Sequence, residues 1–315
     1  MNFKRVASGF ILSFIFLGFF VYFVLNLKPF AENSFYSIGT TEDLLGGISH
    51  AVELETPETL VESQEIDSQA NLPPKIDAQS ALSVESDLYG QEKIIFEKDS
   101  KKILPIASIT KLMTAMIVLD NCDLSAEVVI SESADAVAAQ KQDIKLGDKL
   151  SAEKLLQIMI VGSSNKAAQA LSELAEEQGS NFIFMMNQKA QEIGMQNTIF
   201  ADPTGLSSEN VSTAEDLVKM ASYILKNYSK IADISKSKEL EIEGFGKIEN
   251  TDQMLGEISE AVCSKTGYTL EARGCLLLVI NNVKNNNYLI NVILGADDRF
   301  LEMKKIINWS NKICN

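Results

Sequence analysis

Ser108 and Lys111 stand three residues apart in the run Ala107-Ser108-Ile109-Thr110-Lys111-Leu112-Met113. That spacing puts both side chains on one face of a helix. From Lys111 onward the run is apolar on nearly every side, which marks a buried helix over residues 108–119. An ammonium is costly to desolvate in such a place. Burial lowers a lysine pKa, and a neutral lysine can take the proton of a serine hydroxyl. The helix N-terminus also sets backbone N–H groups beside Ser108. The pair therefore offers a nucleophile and its base, although a surface lysine at a helix start has the same spacing. Two further runs carry polar residues at junctions. Gly162-Ser163-Ser164-Asn165 separates two helical patterns, and Ser264-Lys265-Thr266-Gly267-Tyr268 ends a strand pattern. Taken singly, the first reads as an ordinary N-cap and the second as a strand-end turn.

The rest of the composition narrows the chemistry. His50 is the only histidine, and it lies outside the globular part, so neither a Ser-His-Asp hydrolase nor a two-His zinc site is available. With 28 basic and 43 acidic residues, the net charge of −15 argues against a nucleic-acid partner. Cys122, Cys263, Cys275 and Cys314 have no metal-ligand or redox spacing and read as small buried hydrophobes. In an oxidising compartment Cys263 and Cys275 could face each other across a hairpin. Nothing calls for a metal or an organic cofactor.

These groups need elements to position them, and the chain divides into three parts. Residues 1–30 hold a cytoplasmic stub and an uncharged, Phe-rich run at 9–27, close to the ~20 residues that span a bilayer. Lys4 and Arg5 precede that run, and no clear cleavage site follows it, so it reads as an uncleaved signal-anchor with the remainder exported. Residues 31–79 contain ten acidic residues and a single basic one, Lys75, with no sustained period; they read as a disordered acidic spacer. Residues 80–315 are globular. Strands are expected at 81–89, 93–97, 261–265, 274–281 and 288–295. Helices are expected at 108–119, 150–161, 164–177, 213–227 and 298–313. Strands at both ends with helices between them imply an α+β fold, an antiparallel sheet flanked by helices.

Read in order, Ser-x-x-Lys, Ser-x-Asn and Lys-Thr-Gly resemble the active-site triplet of the serine penicillin-recognising enzymes. The segments LPIASITKLMTAMIVLD, LGDKLSAEKLLQIMIVGSSNKAAQALSELA, NTIFADPTGLSSENVSTAEDLVKMA and SKTGYTLEARGCLLLVI extend the likeness over residues 80–313. The chain resembles the low-molecular-mass D-alanyl-D-alanine carboxypeptidases of peptidase family S11, with the β-lactamase/transpeptidase-like fold. The resemblance implies Ser108 as acylated nucleophile, Lys111 as general base and Ser163 as proton relay to the leaving D-alanine. It implies Asn165 as a holder of the substrate amide and of the lysine, Lys265 as an electrostatic partner of Ser163, and Thr266, Gly267 and Tyr268 as substrate-binding. The backbone N–H groups of Ser108 and Tyr268 would form the oxyanion hole, and Arg299 would help bind the terminal carboxylate. The implied partners are peptidoglycan stem peptides, with β-lactams as covalent inhibitors, at a single-pass bacterial membrane location with the catalytic domain outside.

Two positions depart from the family pattern. Asn210 replaces the usual His in Asn210-Val211-Ser212-Thr213, for which altered loop packing is expected rather than lost chemistry. Glu271-Ala272-Arg273 replaces the usual Ala-Gly, so that Arg273 adds a cation beside the cleft or is simply a turn residue. Three other functions compete. A class A β-lactamase would carry a Glu-x-x-Leu-Asn loop, which is missing here. A DD-endopeptidase would use the same residues on a cross-linked substrate. A non-catalytic wall scaffold would have little need of three intact motifs.

Overall fold

A computed structural model describes residues 72–87, 91–138, 144–177, 179–282 and 287–313. The expected membrane segment 9–27, most of the acidic stretch, His50 and Cys314 lie outside the described residues. Among the described residues no helix is long and apolar enough to cross a membrane.

The chain enters through β1 (Ser80–Ser86) and β2 (Glu92–Lys98), followed by the short β3 (Leu104–Pro105). A 3-10 turn, Ala107–Ile109, then feeds α1 (Thr110–Asn121). Next come β4 (Glu127–Val129), α2 (Glu132–Ala136), β5 (Lys149–Ser151), α3 (Ala152–Val161), α4 (Asn165–Glu176) and α5 (Phe182–Ile193). After β6 (Val211–Ser212) lie α6 (Ala214–Asn227), α7 (Ser229–Ser235) and the ribbon β7 (Glu239–Ile242) and β8 (Gly246–Glu249). The chain ends in β9 (Ala261–Thr269), β10 (Arg273–Asn282), β11 (Asn287–Ala296) and α8 (Arg299–Ile313).

Five strands form one antiparallel sheet in the order β2-β1-β11-β10-β9, so its first and last strands in sequence pair within it. Side chains alternate between the two faces of a strand. On β10, Leu277 and Val279 enter the main core with α1, α3, α4 and α6, while Leu276 and Leu278 face the opposite side. There they pack on Met303, Ile306 and Ile307 of α8. The sheet is thus covered on both faces, which explains why its central strands read as continuous apolar runs. The expected α+β architecture is found.

The differences from the sequence reading have local causes. Ser108 lies in the 3-10 turn rather than in the α-helix that begins at Thr110. Residues 149–151 pair with β4, so the helix expected from 150 starts at Ala152, capped by Ser151. Lys265 to Tyr268 sit inside β9, which runs on to Thr269, and not at a strand end. Helix α5 was not anticipated, although Asn181 caps it, Phe182, Met186 and Ala190 recur at helical spacing, and Gly194 at φ 83° closes it. Cys263 does not face Cys275: Cys263 lies across from Val279 and Cys275 from Gly267, and both are free thiols. Ile76 and Ala78 are buried against the α8 side of the sheet, so the packing extends a few residues ahead of β1.

Candidate active site

The serine motif is held by close backbone packing. Ile106 N–H donates to the Asn210 carbonyl, and Ala107 takes a positive φ of 47° as the chain turns into α1. Strand β9 crosses directly over this turn. A Cβ on Gly267 would lie 2.8 Å from Ile106 O and 3.0 Å from Ser108 N, so only glycine lets the strand approach. Gly205, at φ 81°, abuts the Ala107 carbonyl from the other side.

Lys111 is wholly buried, 0% exposed. Its Nζ reaches Ser108 Oγ at 2.8 Å, Asn165 Oδ1 at 2.7 Å and the Thr204 carbonyl at 2.5 Å. Burial holds its pKa well below the usual lysine value; the neighbouring charge of Lys265 lowers it further, and Asp202 opposes the shift. A lysine that sheds its proton this readily can accept one from the serine at 2.8 Å.

The second motif sits between α3 and α4. Ser164 is the N-cap, its side chain accepting from Ala167 N–H, so the ordinary capping role belongs to Ser164 and not to Ser163. Ser163 is at a positive φ of 59°. A non-glycine residue in that region is strained and is retained where the surroundings enforce it. Ser163 Oγ accepts from Lys265 Nζ at 2.9 Å. Asn165 bridges inward, accepting from Lys111 and donating to the Ala138 carbonyl at 2.9 Å.

Lys265 is 1% exposed and donates also to its neighbour's carbonyl, Thr266 O, at 3.1 Å. Burial, followed by the charge of Arg299, brings its pKa down to about 7, while Asp252 pulls the other way. Thr266 Oγ1 meets Thr251 Oγ1 at 2.5 Å, and Ser264 Oγ donates to Asp252 Oδ2 at 2.5 Å. Two consecutive residues of one loop thus grip β9 on either side of Lys265. Tyr268 lies across from Gly274 and is 59% exposed. Arg299 opens α8 with its guanidinium over the Phe300 ring, and its buried Nε has no hydrogen-bond partner. Arg299 touches none of Ser108, Lys111, Ser163 or Asn165 by hydrogen bond; its link to the cluster runs through the charges of Lys265 and Asp252.

Comparison with known proteins fits this geometry. A family model for D-alanyl-D-alanine carboxypeptidase, Peptidase S11, matches residues 67–298. The chain belongs to this family. It is 37% identical over 215 residues to a D-alanyl-D-alanine endopeptidase of Haemophilus influenzae, covering 65% of this chain and 72% of that protein. It is 30% identical over 247 residues to the D-alanyl-D-alanine carboxypeptidase DacF of Bacillus subtilis, covering 74% and 62%. Among solved structures, penicillin-binding protein D2 of Listeria monocytogenes with bound cefotaxime aligns at TM-score 0.68 and 25% identity. The DD-transpeptidase of Streptomyces K15 aligns at 0.68 and 27%; both cover 76% of this chain and 99% of the solved one.

Within this S11 peptidase some positions near the cluster were missed by sequence reading. Asp202 organises the loop that brings the Thr204 carbonyl to Lys111. Its Oδ1 accepts from Thr204 N, Thr204 Oγ1 and Gly205 N, and its Oδ2 from Ser207 N and Asn210 Nδ2. Those bonds hold its pKa low despite burial. The signal was present in Asp202-Pro203-Thr204-Gly205, a turn sequence. Asn210 is fully buried and satisfied: Oδ1 accepts from Ala201 N and Asp202 N, and Nδ2 donates to Asp202 and the Ser207 carbonyl. Asn210 therefore ties the loop together. Asp252 and Thr251 had no local signal, since only the fold brings them beside β9. Arg273 opens β10 directly after the β9–β10 turn, at φ 56° and ion-paired with Asp297.

Proposed function

We propose that Ser108 is the acylated nucleophile of a D-Ala-D-Ala carboxypeptidase that trims peptidoglycan stem peptides. The observation that carries this reading is the buried Lys111 amine, within hydrogen-bond distance at once of Ser108 Oγ, Asn165 Oδ1 and the Thr204 carbonyl. Neutral Lys111 takes the proton of Ser108 as Oγ attacks the penultimate D-alanine carbonyl carbon. The oxyanion lies on the backbone N–H groups of Ser108 and Tyr268, each such donor being worth ~3 kcal/mol. The C–N bond then breaks as the proton taken up by Lys111 is relayed through Ser163 to the departing amine, which leaves Lys111 neutral again, and Lys265 steadies the Ser163 oxygen. Thr266 and Arg299 hold the carboxylate of the leaving residue, and Gly267 keeps the strand close enough for the substrate to pair along it. Asn165 orients the substrate amide. Water next attacks the ester with Lys111 again as base, releasing the shortened peptide. Penicillins would acylate the same oxygen.

The uncharged run 9–27 behind Lys4 and Arg5, with the acidic stretch after it, supports a membrane anchor with the catalytic domain on the extracytoplasmic side. Incubation of the protein with a penicillin, followed by peptide mass spectrometry, is expected to give an adduct on the Ser108 peptide that Ser108→Ala lacks. The same protein is expected to release D-alanine from an acyl-D-Ala-D-Ala peptide. A folded protein with neither adduct nor D-alanine release would overturn the assignment.

A further inference from the structure

Lys166 follows Asn165 directly in α4, and no step of the proposed reaction uses it. Its Nζ donates to Asp135 Oδ1 at 2.5 Å and to the Ile144 carbonyl at 3.0 Å. Its side chain is only 14% exposed. Asp135 and Ile144 stand on either side of Ala138 in the chain. The Ala138 carbonyl is the acceptor of Asn165 Nδ2 at 2.9 Å. One lysine is therefore bonded both before and after the residue whose carbonyl holds the Asn165 amide.

The segment needs such a hold. Helix α2 has five residues, too few to stand on its own hydrogen bonds. The chain leaves it in extended form at Val137, and Ala138 is exposed. Ala134 and Ile144 are buried in the main core and root the segment on either side. Between those roots the hold comes from α4. Lys166, Gln169 and Glu173 follow at spacings of three and four, which puts them on one face of the helix. Glu173 accepts from Ser131, Ser133 and Gln169, and so grips the start of α2. Of the three, only Lys166 reaches residues on both sides of Ala138.

A carbonyl oxygen can only accept, so Ala138 draws the NH2 end of the Asn165 amide to itself. That leaves Oδ1 facing Lys111 Nζ, 2.7 Å away. With Ala138 displaced the amide is free to turn, and Lys111 then meets a donor in place of its acceptor. We propose that Lys166 is a positioning residue for acylation: by clamping Asp135 and the Ile144 carbonyl it sets the Ala138 carbonyl on Asn165, and through Asn165 it fixes Lys111 beside Ser108. This rests on the reading of Ser108, Lys111 and Asn165 given above. Among the described residues the side-chain hydrogen bonds of Lys166 go to Asp135 and Ile144 and none to Ser108 or Lys111, so its action is carried by Asn165.

The test is the rate at which labelled penicillin acylates the full-length protein, measured for Lys166→Met with and without Asn165→Ala. Lys166→Met alone is expected to acylate about tenfold more slowly, since a displacement near 1 Å at a reacting pair costs about a hundredfold. In the Asn165→Ala background the same substitution is expected to change the rate less than about twofold, because the link it acts through is gone. Lys166→Arg, which keeps a charged donor for both acceptors, is expected to come within about threefold of wild type. Asp135→Asn is a milder change that keeps the bond to Ile144 and covers the case in which Lys166→Met does not fold. It is expected to slow acylation about threefold, again only with Asn165 present. A folded Lys166→Met that acylates at the wild-type rate, or a tenfold loss that persists without Asn165, would overturn the proposal. A wild-type protein with no penicillin adduct on the Ser108 peptide would remove the reading of Ser108 itself, and the proposal with it.

Discussion

Gly267 lies against the nucleophile turn so closely that a methyl group on it would sit 3.0 Å from the backbone nitrogen of Ser108. The strand that carries Lys265 and the turn that carries Ser108 therefore share one backbone-to-backbone contact, and their separation is set without any side chain between them. Gly267→Ala must push the two apart. An overpacked contact of this kind costs about 1–3 kcal/mol. A displacement near 1 Å lowers rate on the order of a hundredfold. The variant is expected to fold, with a lower melting temperature, and to acylate with penicillin far more slowly; stopped-flow acylation alongside calorimetry checks both.

Lys265 is charged at a cost. Its pKa is about 7 in the folded protein against 10.5 for a free lysine, chiefly through burial. Folding therefore disfavours its protonated form. That penalty is complete below about pH 7 and is relieved as pH rises from about 7 towards 10.5, where the unfolded chain still binds the proton. Lys265→Met is accordingly expected to raise the melting temperature at pH 6 while lowering turnover. The stability gap to wild type should shrink steadily between pH 7 and 10. A gap independent of pH in thermal scans would refute the burial of a charge at this position.

Asp252 opposes the shift on Lys265 from the far side of Ser264. Asp252→Asn removes that opposing charge, so the Lys265 pKa is expected to fall further below 7. If protonated Lys265 supports the proton relay through Ser163, the alkaline limb of the kcat/KM profile moves to lower pH. Ser264→Ala, which loses the hydrogen bond and keeps the charge, should leave that limb nearly in place. Steady-state profiles from pH 5 to 10 separate the two.

Asn210 makes no hydrogen bond to Ser108 or Lys111, yet it closes the loop that presents the Thr204 carbonyl to Lys111. Asn210→Ala strands Ala201 N–H and Asp202 N–H and removes one of the two bonds to Asp202 Oδ2. The expected loss is on the order of 2–3 kcal/mol in urea unfolding. Turnover is expected to fall with it, because Lys111 loses the fixed position of one acceptor. Unchanged stability would mean that the loop is held chiefly by the remaining Asp202 bonds.

The three short motifs, the antiparallel sheet and most of its strands and helices were legible in the chain. Sheet and helix periods are local properties, and the Ser-x-x-Lys pair declares itself within a single turn. Taken singly, the runs around Ser163, Asn165 and Lys265 read as a cap and a turn, and these residues could be named only through the resemblance that the three motifs carry in order. What the sequence alone determined ends there. Only the tertiary structure decided that Ser108 sits in a 3-10 turn, since the contact with Gly205 and Gly267 comes from segments about a hundred and more residues away. Only it placed Asp252 behind Lys265 and Thr251 on Thr266, a pairing made by loop closure onto β9. Only it separated Cys263 from Cys275, because strand register is set by the packing of both sheet faces and a shift of the pairing changes every cross-strand partner. Charge and burial complete the division: a lysine's type is written in the chain, but its proton affinity depends on which groups the fold packs around it.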